Sequence, residues 1–205
     1  GGAKPAWFPY LHVRDPEACA AAVAADGGRV FMPPMDIAGV GRFAMLADPQ
    51  GAAFYAMSPS GEGESRAFSP DTVGHGGWHE LHARDLDAAR SFYARHFGWR
   101  SAPPGAFAGA VASAEVAGGS GAGAAVLAAA DGRRLGAMHA DPEAPRAWWE
   151  CAFVVDDVDA AARRLRAAGG EALPGLRQLP GETWLLPARD PQGARFALVG
   201  PSWGG

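Results

Sequence analysis

Glu80 and His82 lie two residues apart in Trp78-His79-Glu80-Leu81-His82, a spacing that puts both on one face of a β-strand. A carboxylate beside an imidazole can act as a general acid and base pair, because histidine titrates near neutrality. The plainer alternative is a polar patch softening a water-filled cavity. Glu150 and Arg195 form a second oppositely charged couple on what should be neighbouring strands. They read first as a cross-strand ion pair and second as a substrate clamp.

Other constellations carry less. His75, His79 and His82 would share a helix face and suggest zinc. Gly76-Gly77 interrupts that helix, however, and on a strand His79 points away from His82. The zinc-protease spacing His-Glu-x-x-His is not met. Gly118-Gly119-Ser120-Gly121-Ala122-Gly123 has the look of a dinucleotide loop but lacks the acidic residue that should follow on a strand end, so it reads as a hairpin tip. Cys19 and Cys151 fall in a predicted helix and a predicted strand, without metal spacing or an adjacent histidine, and read as small buried apolar residues. Trp78, Trp148, Trp149, Trp184, Phe8 and Tyr10 make an aromatic-rich set around the first strands. Such residues are usually core, but Trp78 on an open sheet face suits stacking on a flat molecule.

The elements that must position these residues are written in a duplication. Trp7–Pro59 recurs as Trp149–Pro201 at an offset of 142 residues, in register, with 16 of 53 positions identical. The matches include Asp15 with Asp157, Gly27-Gly28 with Gly169-Gly170, and Asp48-Pro49-Gln50-Gly51-Ala52 with Asp190-Pro191-Gln192-Gly193-Ala194. In the first copy, a strand over Phe8–Val13 leads to an N-cap at Asp15, Pro16 at the first helical position, and an alanine-rich helix stopped by Gly27-Gly28. Three short strands follow near Val30–Met32, Phe43–Leu46 and Ala53–Met57, with Pro33-Pro34 among the turn signals between them. The last copy repeats the plan: strand Glu150–Val155, a helix from Asp157, and strands near Glu171–Leu173, Trp184–Leu186 and Arg195–Val199. Between them lies a third unit, with strand Trp78–Ala83, a helix from Asp85 to Phe97 stopped by Gly98, and later strands within Phe107–Val116, Ala124–Ala129 and Leu135–His139. Asp131-Gly132 is its hairpin turn.

Alternation along the first strands predicts two faces. Pro9, Leu11 and Val13, His79, Leu81 and Ala83, and Cys151, Phe153 and Val155, a mostly apolar set, should pack under the helices. Phe8, Tyr10 and His12, Trp78, Glu80 and His82, and Glu150, Ala152 and Val154 should line the opposite, ligand-facing side.

With 205 residues, 48% apolar content and a net charge of −4, the chain is long enough to bury a core and has no basic footprint for nucleic acid or anionic membrane. No apolar run approaches the ~18 residues needed to cross a bilayer, and no basic-then-apolar leader opens the chain, so the default is cytoplasmic. The Gly1-Gly2 start reads as a processed end, a cloning scar, or a cut from something longer.

Trp78-His79-Glu80-Leu81, Asp85, Ala88-Ala89, Phe92-Tyr93 and Phe97-Gly98-Trp99 resemble the first half of a domain of the vicinal oxygen chelate superfamily, which groups glyoxalase I, bleomycin resistance proteins and extradiol dioxygenases. Val155-Asp156-Asp157-Val158-Asp159-Ala160-Ala161, Gly169-Gly170 and the Asp-Pro-Gln-Gly-Ala turns resemble the second half. The resemblance implies an α+β fold of βαβββ modules paired into a curved eight-stranded sheet around a cavity. It implies an unpaired second-half module over residues 4–59, a linker over 60–73, and a complete domain over 74–201 with modules 74–139 and 147–201. A first-half partner for the N-terminal module is missing. Either upstream sequence supplies it, or the module pairs with its copy in a homodimer.

The resemblance also locates the relatives' metal ligands at Trp78, Glu150 and Ala197 in the complete domain, and at Phe8 and Tyr55 in the N-terminal module. Glu150 alone among these could ligate, and tight binding takes three or more suitable ligands, so the expected cofactor is none. His139 is a further candidate ligand whose strand register is open. The expected function is binding of an apolar or aromatic small molecule, with Trp78, Glu80, His82, Glu150, Arg195 and Trp184 around it and Glu80 and His82 as the candidate catalytic pair. The alternatives are a metal-dependent lyase, isomerase or dioxygenase of the same superfamily, and a non-catalytic assembly module.

Overall fold

The structure is a computed structural model that describes residues 4–61, 65–102, 123–179, 182–202 and 204. Its first module runs β1 (Tyr10–His12), α1 (Pro16–Ala25), β2 (Arg29–Ile37), β3 (Gly41–Ala47) and β4 (Ala53–Pro59). The second runs β5 (Gly76–Ala83), α2 (Leu86–Phe97), β6 (Arg100–Ala102), β7 (Ala124–Ala128) and β8 (Arg134–Ala140). The third runs β9 (Trp148–Val154), α3 (Val158–Ala167), β10 (Glu171–Ala172), β11 (Arg177–Leu179), β12 (Thr183–Arg189) and β13 (Arg195–Gly200). The expected strand within Phe107–Val116 and most of the glycine-rich segment, 118–122, lie outside the described residues.

Each helix starts in the same way. The carboxylates of Asp15, Asp85 and Asp157 accept from the backbone N–H three residues on, at Ala18, Ala88 and Ala160, and so satisfy an amide that the first turn leaves free. Gly98 ends α2 in the left-handed region, with φ 64°, where a side chain would be strained.

The strands form two open sheets. The N-terminal sheet has four strands in the order β1-β4-β3-β2. The second has nine: eight along the path β10-β12-β13-β9-β5-β8-β7-β6, and β11 attached to β12. The path is the expected pair of modules, joined where β5 and β9 run antiparallel with Glu80 opposite Glu150. Strands β6 and β11 were not anticipated, being three residues each without a legible period.

One predicted turn is corrected. Pro33-Pro34 lies inside β2, which continues to Ile37 instead of stopping at Met32. β2 is the edge of its sheet and its pairing with β3 shifts register at Val30/Met32 and Met32/Met35. An edge with bulges tolerates residues that cannot donate to a ladder.

The predicted faces are found. Leu11, Leu46, Phe54, Leu81, Phe92, Tyr93 and Trp149 belong to one buried cluster that runs from the N-terminal sheet to α2. A second cluster lies under α3, and a third, with Ala152, Val154, Leu179, Leu185, Ala197 and Val199, covers part of the helix-free face beside Trp78. The two sheets therefore share a core. Gln50 fastens them, its side chain donating to Asp85 O and accepting from Asp85 N, both at 2.7 Å.

The helix-free face of the N-terminal sheet is aromatic and rich in methionine. Register puts Tyr10 with Tyr55, Met45 with Tyr55, Phe43 with Met57, Met32 with Met45 and Met35 with Phe43 on one side. Four of the chain's five methionines are thus on this face.

Candidate functional site

Alternation along β5 turns Trp78, Glu80 and His82 to the helix-free face, while Leu81 and Ala83 enter the core under α2. Pairing with β9 brings Glu150 opposite Glu80 and Trp148 opposite His82. Parallel pairing with β8 settles the register of His139, which falls opposite His82. Two carboxylates and two imidazoles from three strands thus meet at the centre of the sheet.

Both carboxylates are 1% exposed, a costly burial unless compensated. Glu80 accepts from Trp78 Nε1 at 3.1 Å and from the Arg177 guanidinium, which arrives on β11 from the far module. Glu150 accepts from Arg195 Nε at 2.7 Å, the cross-strand ion pair expected from the sequence. Each buried negative charge thus has its own guanidinium. His82 Nε2 lies 3.9 Å from Glu80, too far for a hydrogen bond, so these two are neighbours and not a coupled acid and base pair. His139 Nε2 stands 3.4 Å from Glu80. The His82 ring stacks flat on Trp148, with centroids 4.0 Å apart and planes 1° from parallel, and Arg195 caps the same indole at 4.6 Å.

Burial sets the electrostatics. It drives His82 down to about 3, with His139 and Arg195 adding to the fall. His139 is lowered for the same reason against an opposing pull from Glu150. Burial pushes Glu150 up, opposed by Arg195, and brings Arg177 down to about 10, with Arg195 contributing. Both imidazoles are neutral at physiological pH. His82 Nε2, His139 Nε2 and Glu150 Oε2 are buried without a hydrogen-bond partner. Three polar atoms left unmatched on one face is a costly arrangement for a finished core and an ordinary one for a receptor.

Glu80, His82 and Glu150 each offer one ligand atom, all within 4.8 Å of one another, so this trio could hold a metal ion. The trio is not legible in the sequence, where the positions metal-binding relatives use hold Trp78 and Ala197, which have no donor, and where Glu80 and His82 read as an acid and base pair. Two carboxylates and an imidazole suit a divalent ion, while Arg177 and Arg195 already supply the positive charge the carboxylates need.

The remaining predicted residues fall as follows. Trp184 is not at the site: with Leu186 it packs into the cluster under α3, while Leu185 between them faces the other side. Its strand, β12, begins one residue before it, and alternation sends it to the helix side. Trp78 borders the apolar cluster of the helix-free face. His79 is half-buried on the opposite side of β5, its Nδ1 inaccessible and its ring stacked near Phe68, so the histidine triplet does not converge. Burial raises Cys19 to about 11 and Cys151 to about 12, which keeps both as unreactive thiols. Arg177, Trp148 and His139 are the site residues that sequence reasoning missed or left unplaced.

A family model for the glyoxalase/bleomycin resistance protein/dioxygenase superfamily matches residues 77–198, and the chain belongs to that superfamily. Among its relatives, a protein of Mycobacterium bovis named "Putative glyoxylase CFP32" is 31% identical over 204 residues, covering 98% of this chain and 72% of that protein. The anthracycline biosynthesis protein DauV of Streptomyces sp. is 33% identical over 203 residues, covering 94% of this chain and 65% of its own length. A Mn(II)-bound glyoxalase from Novosphingobium aromaticivorans shares the fold at a TM-score of 0.58 and 18% identity, over 93% of this chain and 61% of that one. The 2,3-dioxygenase LapB from Pseudomonas sp. KL28 does so at 0.57 and 16%, over 96% and 72%. Among the described residues no helix is long and apolar enough to cross a membrane.

Proposed function

We propose that this chain binds a flat aromatic or apolar small molecule against the helix-free face of its nine-stranded sheet, without a resident metal. The observation that carries this reading is the pairing of each buried glutamate with an arginine while His82 Nε2, His139 Nε2 and Glu150 Oε2 stay unmatched. Charge is balanced, and what is left over is hydrogen-bonding capacity. A ligand with a hydroxyl or carbonyl on an apolar frame would satisfy these atoms, its frame lying on Trp78, Ala152, Val154, Leu185, Ala197 and Val199. DauV's place in anthracycline biosynthesis is in keeping with a polycyclic ligand.

A second reading has its own observation. Glu80, His82 and Glu150 could hold a divalent ion, which when bound would polarise adjacent oxygens of a substrate, and the activity would then be that of a lyase, isomerase or dioxygenase. Elemental analysis of the purified protein separates the two: near-stoichiometric Zn, Ni, Fe or Mn sinks the metal-free reading. Titration with anthraquinone-2-sulfonate should quench tryptophan fluorescence saturably, with no effect of chelators. Absence of saturable quenching by this and other planar probes would overturn the binding reading.

A further inference from the structure

The backbone of β11 aims Arg177 into the Glu80–Glu150 centre. This strand pairs antiparallel with β12, with Arg177 opposite Leu185 and Leu179 opposite Thr183. Leu179 and Leu185 both belong to the apolar cluster of the helix-free face, and residues opposite each other or two apart on paired strands share a side. Arg177 therefore takes that side too. Its Nη1 donates to Gly175 O at 3.2 Å, its Nη2 donates to Glu80 Oε2, and the side chain is only 13% exposed.

Around that guanidinium lie the donors of a metal site. One ligand atom each from Glu80, His82 and Glu150 falls within 4.8 Å of the others, a span near that across a single ion whose ligands stand about 2.0–2.2 Å away. His82 Nε2 and Glu150 Oε2 are buried and unmatched, and Glu150 is itself 1% exposed. Of the three residues, only Glu150 stands where the resemblance locates a relative's metal ligand, so this is not the relatives' site in another form. The donor chemistry fits a divalent ion. Charge is what opposes one.

Two guanidiniums already balance the two carboxylates, and they are not equivalent. The Arg195 side chain is 41% exposed, where water screens its charge, whereas Arg177 is enclosed. A like charge brought beside Arg177 is repelled through the protein interior, where the interaction is several times stronger than in water. An ion at the trio would have to share Glu80 with it.

Starting from the metal-free reading above, on which the inference rests, we infer that Arg177 is a tethered cation. It holds at Glu80 the positive charge that a divalent ion would otherwise supply, and so closes a latent metal site formed by Glu80, His82 and Glu150. The choice between binding a metal and binding an uncharged hydrogen-bonding ligand is then made by a residue outside the trio, on a strand of three residues.

Equilibrium dialysis against Zn(II), read by elemental analysis, tests this. Arg177→Met should bind about one ion per chain, about tenfold or more tightly than the parent does, and its melting temperature should rise by several degrees with Zn(II) while that of the parent stays in place. Adding Glu150→Gln should abolish the uptake, and Arg177→Lys, which keeps a tethered charge, should not acquire it. An Arg177→Met protein that folds and takes up no more Zn(II) than the parent overturns the inference and leaves the metal-free reading standing. A parent purified with near-stoichiometric metal overturns both. Should Arg177→Met not fold alone, refolding with Zn(II) decides. Recovery of the parent's far-UV circular dichroism spectrum supports the latent site, and a chain as unfolded with the ion as without it refutes it.

Discussion

The Tyr93 hydroxyl donates to Asp48 Oδ2 at 3.1 Å, joining α2 to the turn between β3 and β4 of the N-terminal sheet. The same hydroxyl accepts from Trp149 Nε1 at 3.1 Å. Asp48 Oδ1 meanwhile accepts from the backbone of Gln50 and Ala52, so every polar atom of this buried trio is occupied. Removing the hydroxyl with Tyr93→Phe leaves the indole N–H and one carboxylate oxygen unmatched. It should cost about 1–3 kcal/mol in a urea unfolding experiment, with the slope of the transition unchanged.

Arg177→Met should be damaging, although Arg177 sits on a strand of only three residues. It leaves Glu80 buried and charged beside two neutral imidazoles, for which losses of about 3–5 kcal/mol are ordinary. The double variant Arg177→Met with Glu80→Gln should recover most of that loss. If the two substitutions merely add, the pair is not coupled.

Acid should weaken the fold from below neutrality. His82 is held at about 3 and His79 at about 4 by burial, against an ordinary value of about 6.5. The unfolded chain therefore takes up these protons first. The stability they contribute is complete above about pH 6.5 and is lost as pH falls towards their folded values. Glu150, raised by burial, acts in the opposite sense, gaining stability as it protonates. His82→Gln should lose less stability between pH 7 and pH 5 than the parent, read as the shift in urea midpoint.

Gly136→Ala should be among the most disruptive single-methyl changes in the chain. A Cβ there would run into the backbone carbonyl of His79 on β5, which cannot give way, at the strand pairing that aligns His82 with His139. A large fall in melting temperature is expected, and a variant with parent-like stability would contradict the close pairing of β5 and β8.

Much of this was legible in the sequence, because it was written in local rules. Asp15, Asp85 and Asp157 announce three helices through one capping chemistry, and alternation from those anchors places Glu80, His82 and Glu150 on one face. Arg177 was not legible: its strand is three residues long in a stretch holding Pro174 and Gly175, and its partner is 97 positions away. The side that Trp184 faces is not legible either, because no capping residue lies near enough to fix the phase of β12. Trp148 lies two residues before Glu150, the predicted start of its strand. Arg177 depends on a tertiary pairing that no local signal encodes, and the two tryptophans on a strand phase and a strand boundary that pairing fixes.

The two prolines in β2 bear on what kind of assembly the N-terminal sheet can enter. A sheet able to recruit strands at both margins can grow without limit, as fibrils do. Here one margin, β2, is interrupted by register shifts and short of donors at Pro33 and Pro34, so the ladder cannot readily extend past it. The prolines thus act as a terminus for the sheet on that side, guarding it against open-ended growth.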